Sequence, residues 1–260
     1  MTALRASIMS LRRQRAFGAC VLFTVVATLT TTTDAQNPQP PRPDLSLVAP
    51  RVIDQTNALR SSNGLAPVVD EPRLARAAQS FAEFIASTDL YGHTADGRNP
   101  GDRALTAGYE YCVVAENLGY VFDSAGFTTE ILASRLVDGW KKSALHRKNM
   151  LLAAATEIGV GVAESARTRR YYAVQLLGRP RNAAMRFEVV NRTGTAVNYK
   201  IHDEAFNLAA RVTRTHAWCT DGTLRLIGND ATDDDGLTLR NGARYVVTRD
   251  ASGQARLHIE

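Results

Sequence analysis

The chain contains five histidines, and His146 stands in "SALHRKNML", from Ser143 to Leu151. An imidazole there can serve as a metal ligand, as a general base, or as a polar residue capping a buried turn. Ser143 lies only three residues before it, so a Ser–His hydrolase is one chemistry the stretch admits. No "GxSxG" elbow accompanies it and no oxyanion donors can be assigned. Arg147 and Lys148 bring positive charge that can attract an anion, although such pairs usually form a solvated face. A second cluster, "GNDATDDDG" (228–236), gathers carboxylates but lacks the residue order of an EF-hand loop, so it reads as a solvated tip.

The remaining chemistry depends on compartment. Arg5, Arg12, Arg13 and Arg15 precede "AFGACVLFTVVATL", an apolar run of about 14 residues followed by small residues. That is the pattern of a secretory signal peptide over residues 1–35, and it is short of the roughly 20 residues an ordinary membrane span requires. The protein is therefore expected to be secreted or periplasmic, and not membrane-spanning after processing. Residues 1–35 carry four Arg and one Asp, so the net charge falls from +5 to +2 without them. Basicity that belongs to a targeting segment gives no reason to expect a nucleic-acid partner. Beyond residue 35 the only cysteines are Cys112 and Cys219. In an exported protein they can form one disulfide or remain two buried thiols.

The elements that must position these residues follow from periodicity. Residues 36–50 contain five prolines and predict an extended linker. A helix is expected from Arg51 to about Gly64. A second, N-capped by Asp70, carries Leu74, Ala78, Phe81 and Ile85 on one apolar stripe. A short helix starts near Pro100, and "CVVAENLGYVF" is an extended segment. A further helix spans about Thr128–Lys142, with "SALHRKNML" as the turn after it. "EIGVGVAES" and "YYAVQLLG" are strands. Beyond "RPRNAA" the texture becomes that of hairpins, with Asn241-Gly242 as a tight-turn signal. The expected fold class is α/β (α+β): a layered domain over residues 51–182, then a small all-β module over 184–260.

The ordered series "NALRSSNGLAPVVDEPRLARAAQSFAEFIA", "GHTADGRNPGDRALTAGY", "AENLGY", "DGWKKSALHRKNML" and "EIGVGVA" with "YYAVQLLG" resembles the CAP superfamily, or SCP domain family. Its members include cysteine-rich secretory proteins, antigen 5 and pathogenesis-related proteins, and the "HRxN" turn is closest to the bacterial branch. The resemblance spans about residues 51–179. It implies an α-β-α sandwich with a central antiparallel sheet and a surface cleft where two histidines and acidic residues meet. The matching positions here are His93, Glu116 and His146. A second glutamate found in animal members falls on Ser143, so the acidic complement is incomplete.

Two imidazoles and a carboxylate can hold a zinc ion with one position open. His93, Glu116 and His146 are therefore the metal-ligand candidates, with Ser143 as a fourth cleft residue. The competing arrangement is a metal-free pair between His146 and Glu116, in which the carboxylate holds the imidazole protonated to higher pH. The functional expectation is a non-catalytic binding module for a small apolar or amphiphilic ligand such as a lipid or sterol, or for a divalent metal. The alternatives are a metal-dependent or Ser/His hydrolase acting on peptides or the cell envelope, and a structural protein of the envelope.

Overall fold

The computed structural model describes residues 40–228 and 236–260. The expected signal segment and most of the acidic tip lie outside the described residues.

The first helix, α1 (Leu45–Ser62), begins six residues earlier than the proline content suggests. The extended linker expected over 36–50 therefore stops short. Asp44 caps α1 by accepting the Ser46 N–H, Val48 is fully buried, and Pro50 lies within the first turns. Pro50 is the sixth residue of α1, so it leaves the Ser46 carbonyl without its i+4 donor, a cost that the burial of Val48 and Val52 on the same helix offsets.

Strand β1 (Val69–Asp70) leads into α2 (Pro72–Thr88). The cap of α2 is Glu71, one residue later than the expected Asp70. Its carboxylate accepts the Arg73 N–H, while Asp70 is held in the sheet opposite Ile158. The helix ends where Asp89 turns left-handed, and Ser165, Arg167, Thr168 and Tyr172 all bond to that carboxylate. The short α3 (Pro100–Thr106) opens on a capping box between Asn99 and Asp102. Next come β2 (Tyr111–Val121), α4 (Thr129–Lys142), α5 (Ala144–Met150), β3 (Glu157–Glu164) and β4 (Tyr171–Pro180). The "SALHRKNML" stretch, expected as a turn, is thus a helix. Ser143 ends α4 and caps α5 by accepting the His146 N–H.

These strands form one sheet in the order β1-β3-β4-β2, antiparallel except where β1 meets β3. Strand β4 is buried on both faces. Tyr171, Ala173 and Leu177 pack against α1 and α4, whereas Tyr172, Val174 and Leu176 pack against α2 and α3. Side chains alternate across a strand, so one strand serves both cores of an α-β-α sandwich. The glycines of "EIGVGVA" explain how close α2 comes. A Cβ at Gly159 or Gly161 would overlap the backbone of Leu74–Ala75 or Ala78–Gln79.

Among the described residues, the C-terminal part contains eight strands in two sheets. β5 (Met185–Asn191), β8 (Thr213–Trp218), β11 (Arg244–Arg249) and β12 (Ala255–Ile259) form one, in the order β12-β11-β5-β8. The other is β10-β9-β6-β7, from β6 (Val197–Ile201), β7 (Glu204–Leu208), β9 (Thr223–Ile227) and β10 (Leu237–Thr238). Inward residues of both sheets, including Phe187, Tyr199, Leu224 and Tyr245, share one core. The Asn241-Gly242 turn does not close a hairpin, because β10 and β11 belong to different sheets. Instead Asn241 accepts the Arg186 N–H, and the chain crosses from one sheet to the other. Cys112, at the start of β2, is bonded to Cys219, between β8 and β9.

Candidate functional site

Strand β2 is an edge strand, and "AEN" lies where α3 and α5 flank it. Glu116 is almost fully buried, and both of its oxygens are engaged. Oε1 lies 2.7 Å from His93 Nδ1, and Oε2 accepts from Arg103 Nη2 at 2.6 Å. Arg103, from α3, is equally buried and its two terminal nitrogens are fully used. Nη1 donates to Asp96 Oδ1 and to the Arg98 carbonyl, and Nη2 also reaches the His93 carbonyl. Its guanidinium lies over the Phe81 ring at 3.5 Å. The His93 loop is thus tied to β2 by a buried ion pair and by main-chain acceptors. His93 itself keeps about half its side-chain surface in solvent (54%).

His146 does not pair with Glu116, as the sequence suggested. Arg103 and His93 have taken both carboxylate oxygens. What α5 presents to β2 is Asn149, whose amide donates to the Glu116 carbonyl and to Asn117 Oδ1. Asn117 in turn donates to the His146 carbonyl and to Gln175, and Gln175 donates to Thr56. This buried polar chain fixes α5 on the sheet. Arg60 fixes the exit of α5 by donating to the carbonyls of Met150, Leu152 and Ala155.

With its backbone held, the half-buried His146 ring faces a groove instead of a carboxylate. Partial burial lowers its pKa below the ordinary value of 6.5, and the nearby His93 charge acts in the same direction. The expected rise is therefore a fall, since the compensating anion is committed elsewhere.

The groove has a volume of about 270 Å³, and its lining includes Tyr91, Leu118, Tyr120, Trp140, Ser143 and His146. Trp140 forms a wall because its indole N–H donates to the Leu118 carbonyl at 2.9 Å. Gly119 permits that approach: a Cβ there would stand 2.8 Å from the indole nitrogen. Tyr91 meets Tyr120 edge to face, with ring centroids 5.3 Å apart. Arg135, exposed on α4, stands at the same groove.

The structure therefore sorts the four expected site residues into two adjoining pairs. His93 and Glu116 belong to a polar lock, while His146 and Ser143 line the groove. A three-ligand zinc site does not fit this arrangement. Each Glu116 oxygen already has a partner, and a guanidinium lies against one of them. Among the described residues no group of three or more His, Cys, Asp or Glu is placed to hold a metal ion. Ser143 Oγ accepts the His146 backbone N–H, which is a helix cap and not a nucleophile–base contact. The residues that sequence reasoning missed are Arg103, Asp96, Asn117 and Asn149. The two asparagines stood inside the very segments that drew attention, "AEN" and "HRKN", beside more reactive neighbours.

A three-layer α-β-α domain, with a His–carboxylate pair beside an edge strand and a helix docked through an asparagine, defines a class. Residues 53–177 match the model of the CAP family, described as the cysteine-rich secretory protein family, and this domain belongs to it. The chain is 29% identical over 116 residues to the uncharacterized protein YkwD of Bacillus subtilis, covering 44% of this chain and 42% of that protein. It thus spans less than half the length of that curated relative. Among solved structures, an outer surface protein from Borrelia burgdorferi is 18% identical with a TM-score of 0.43, over 50% of this chain and 90% of that one. An extracellular SCP-domain protein from Bacillus anthracis is 22% identical with a TM-score of 0.44, over 52% of this chain and 41% of that one. Among the described residues no helix is long and apolar enough to cross a membrane.

Proposed function

We propose that this chain is an exported, non-catalytic binding protein whose groove beside His146 takes the apolar end of a small amphiphile. The observation that carries the reading is the groove itself: three aromatic side chains and Leu118, with His146 and Ser143 as polar points and the Arg135 cation beside them. Pockets of this kind are mostly apolar with a few placed polar groups, and they commonly measure about 300–1,000 Å³. At about 270 Å³ this one is at the small end, suited to one short chain or ring. The Arg135 guanidinium favours an anionic head, such as a fatty acid carboxylate.

Export is supported by the Cys112–Cys219 bond, which persists in oxidising compartments. The extracellular and outer-surface relatives agree with it. The same reading divides the chain near residues 180–184. The core of the β module is drawn from residues 185–257 alone, and we assign the surface of this separately packed module as a second contact surface.

Dodecanoate is a suitable probe, with Trp140 fluorescence as the signal in a Trp218→Phe background. Saturable binding that weakens in Tyr120→Ala and Arg135→Gln is the expected result. Absence of binding, with no lipid co-purifying in native mass spectrometry, would overturn the reading.

A further inference from the structure

Arg103 also borders a second cavity, of about 330 Å³, between α2 and α3. Its polar lining is Arg76, Ser80, Arg98, Arg103 and Thr106, and no acidic side chain is part of it. Three guanidinium groups around one cavity repel each other unless anions compensate them. Asp96 pairs with Arg98 and Arg103, and Glu116 pairs with Arg103. Among the described residues no ion pair holds Arg76, and its one hydrogen bond is a long contact of 3.4 Å to the Ala107 carbonyl.

The second observation is independent of charge counting. Arg103 is 3% exposed, yet its Nε–H has no hydrogen-bond partner among the described residues. Every other nitrogen of that guanidinium is used, so this is one unfilled donor on a buried cation. Buried N–H groups are nearly always paired, and one that is not calls for an explanation.

We propose that this cavity binds the phosphate or sulfate group of a small ligand between Arg76 and Arg98, beside the buried Arg103 guanidinium. Guanidinium groups suit such oxyanions because planar donor pairs match tetrahedral oxygens. The hydroxyl of Ser80 supplies a further donor, while that of Thr106 is already donated to the Asp102 carbonyl. The volume lies within the range of small-molecule pockets, about 300–1,000 Å³, which leaves room for the group that carries the anion. The site is separate from the amphiphile groove and does not depend on it. It adjoins His93 through one side chain, because the Arg103 guanidinium beside the cavity also carries Glu116.

The test is an NMR titration of the ¹⁵N-labelled protein, following the Arg103 Nε–Hε resonance. The probes are inorganic phosphate, glycerol 3-phosphate, and vesicles of phosphatidylglycerol in phosphatidylcholine. Saturable movement of that resonance with glycerol 3-phosphate indicates a soluble phosphate ester, and movement with vesicles alone indicates a lipid headgroup. Arg76→Gln, at an exposed position, should raise the Kd about tenfold, as the loss of one charged contact does. Arg51→Gln, outside the cavity lining, should leave it unchanged. An Arg103 resonance that stays in place with all three probes, or an affinity indifferent to Arg76→Gln, would overturn the proposal.

Discussion

Replacing both cysteines, Cys112→Ser together with Cys219→Ser, removes a cross-link between residues 107 apart in sequence. Closing a loop of that length lowers the entropy of the unfolded chain by an amount equivalent to ~4.8 kcal/mol at 25 °C, and measured losses for native disulfides run ~2–5 kcal/mol. Both sulfur-bearing residues are half-buried, so two serines add little cost of their own. Residual structure in the unfolded chain takes part of the effect away, and we expect a loss of about 3–4 kcal/mol. The chain has two tryptophans, and they report on different cores. Trp140 lies in the α1–α4 side of the sandwich, and Trp218 packs against the β-module core beside Cys219. Urea unfolding of single-tryptophan variants therefore reads each part separately. With the bond in place the two signals should share one transition. In the double-serine variant both midpoints should fall, and the Trp218 signal should fall first, since the module has one core and the sandwich has two. A variant that keeps its midpoint, or an oxidised protein whose reporters unfold separately, would show that the bond does not couple the two parts.

Gly161→Ala should lower stability by about 2–3 kcal/mol, the upper part of the range for overpacking, because its Cβ would push on the α2 backbone and not on a movable side chain. Thermal unfolding by circular dichroism measures it. Glu116→Gln should cost about 3 kcal/mol, since Arg103 stays buried with only Asp96 as a carboxylate partner; urea unfolding would show the loss, and a variant as stable as the parent would place the lock outside the folding energetics. His146 has a folded-state pKa below the ordinary 6.5, so its unfolded form binds more protons. Its contribution is therefore full above about pH 6.5 and is lost as pH falls toward the folded value. An NMR titration should find its midpoint under that of a free histidine, and His146→Gln should flatten the acid side of the stability profile.

Much of the fold was legible because local signals and burial agree. The stripe Leu74–Ala78–Phe81–Ile85 is fully buried in α2, and "YYAVQLLG" reads as a strand, which it is, with burial on both faces added by the structure. The misreadings share a physical cause. Asn241-Gly242 adopts the backbone of a tight turn, with Gly242 at φ +78°, but turn chemistry does not say which sheet receives the next strand. Proline content argued for an extended chain through residue 50, yet the helix runs through Pro50, because burial of Val48 and Val52 outweighs the one backbone hydrogen bond that the ring removes. At the site, the groups that do chemistry stood out, and the groups that hold them did not. Arg103 is one arginine among many in the sequence; only its stacking on Phe81 and its contact with Glu116 single it out.

That last point bears on what the His93–Glu116 pair is for. A carboxylate left to two imidazoles alone would be free to share a cation with them. Here a guanidinium 2.6 Å from one oxygen fixes its orientation, and the other oxygen holds His93 at the surface. Asn149, not His146, supplies the contact from α5, so the His146 ring is left for the groove. Sequence order brought the right segments together, but the number of donors around Glu116 decided which of them touch it. A protein arranged this way uses its acid and its arginine to hold a loop beside an aromatic groove. What the groove itself presents is apolar surface and a half-buried imidazole with a lowered pKa.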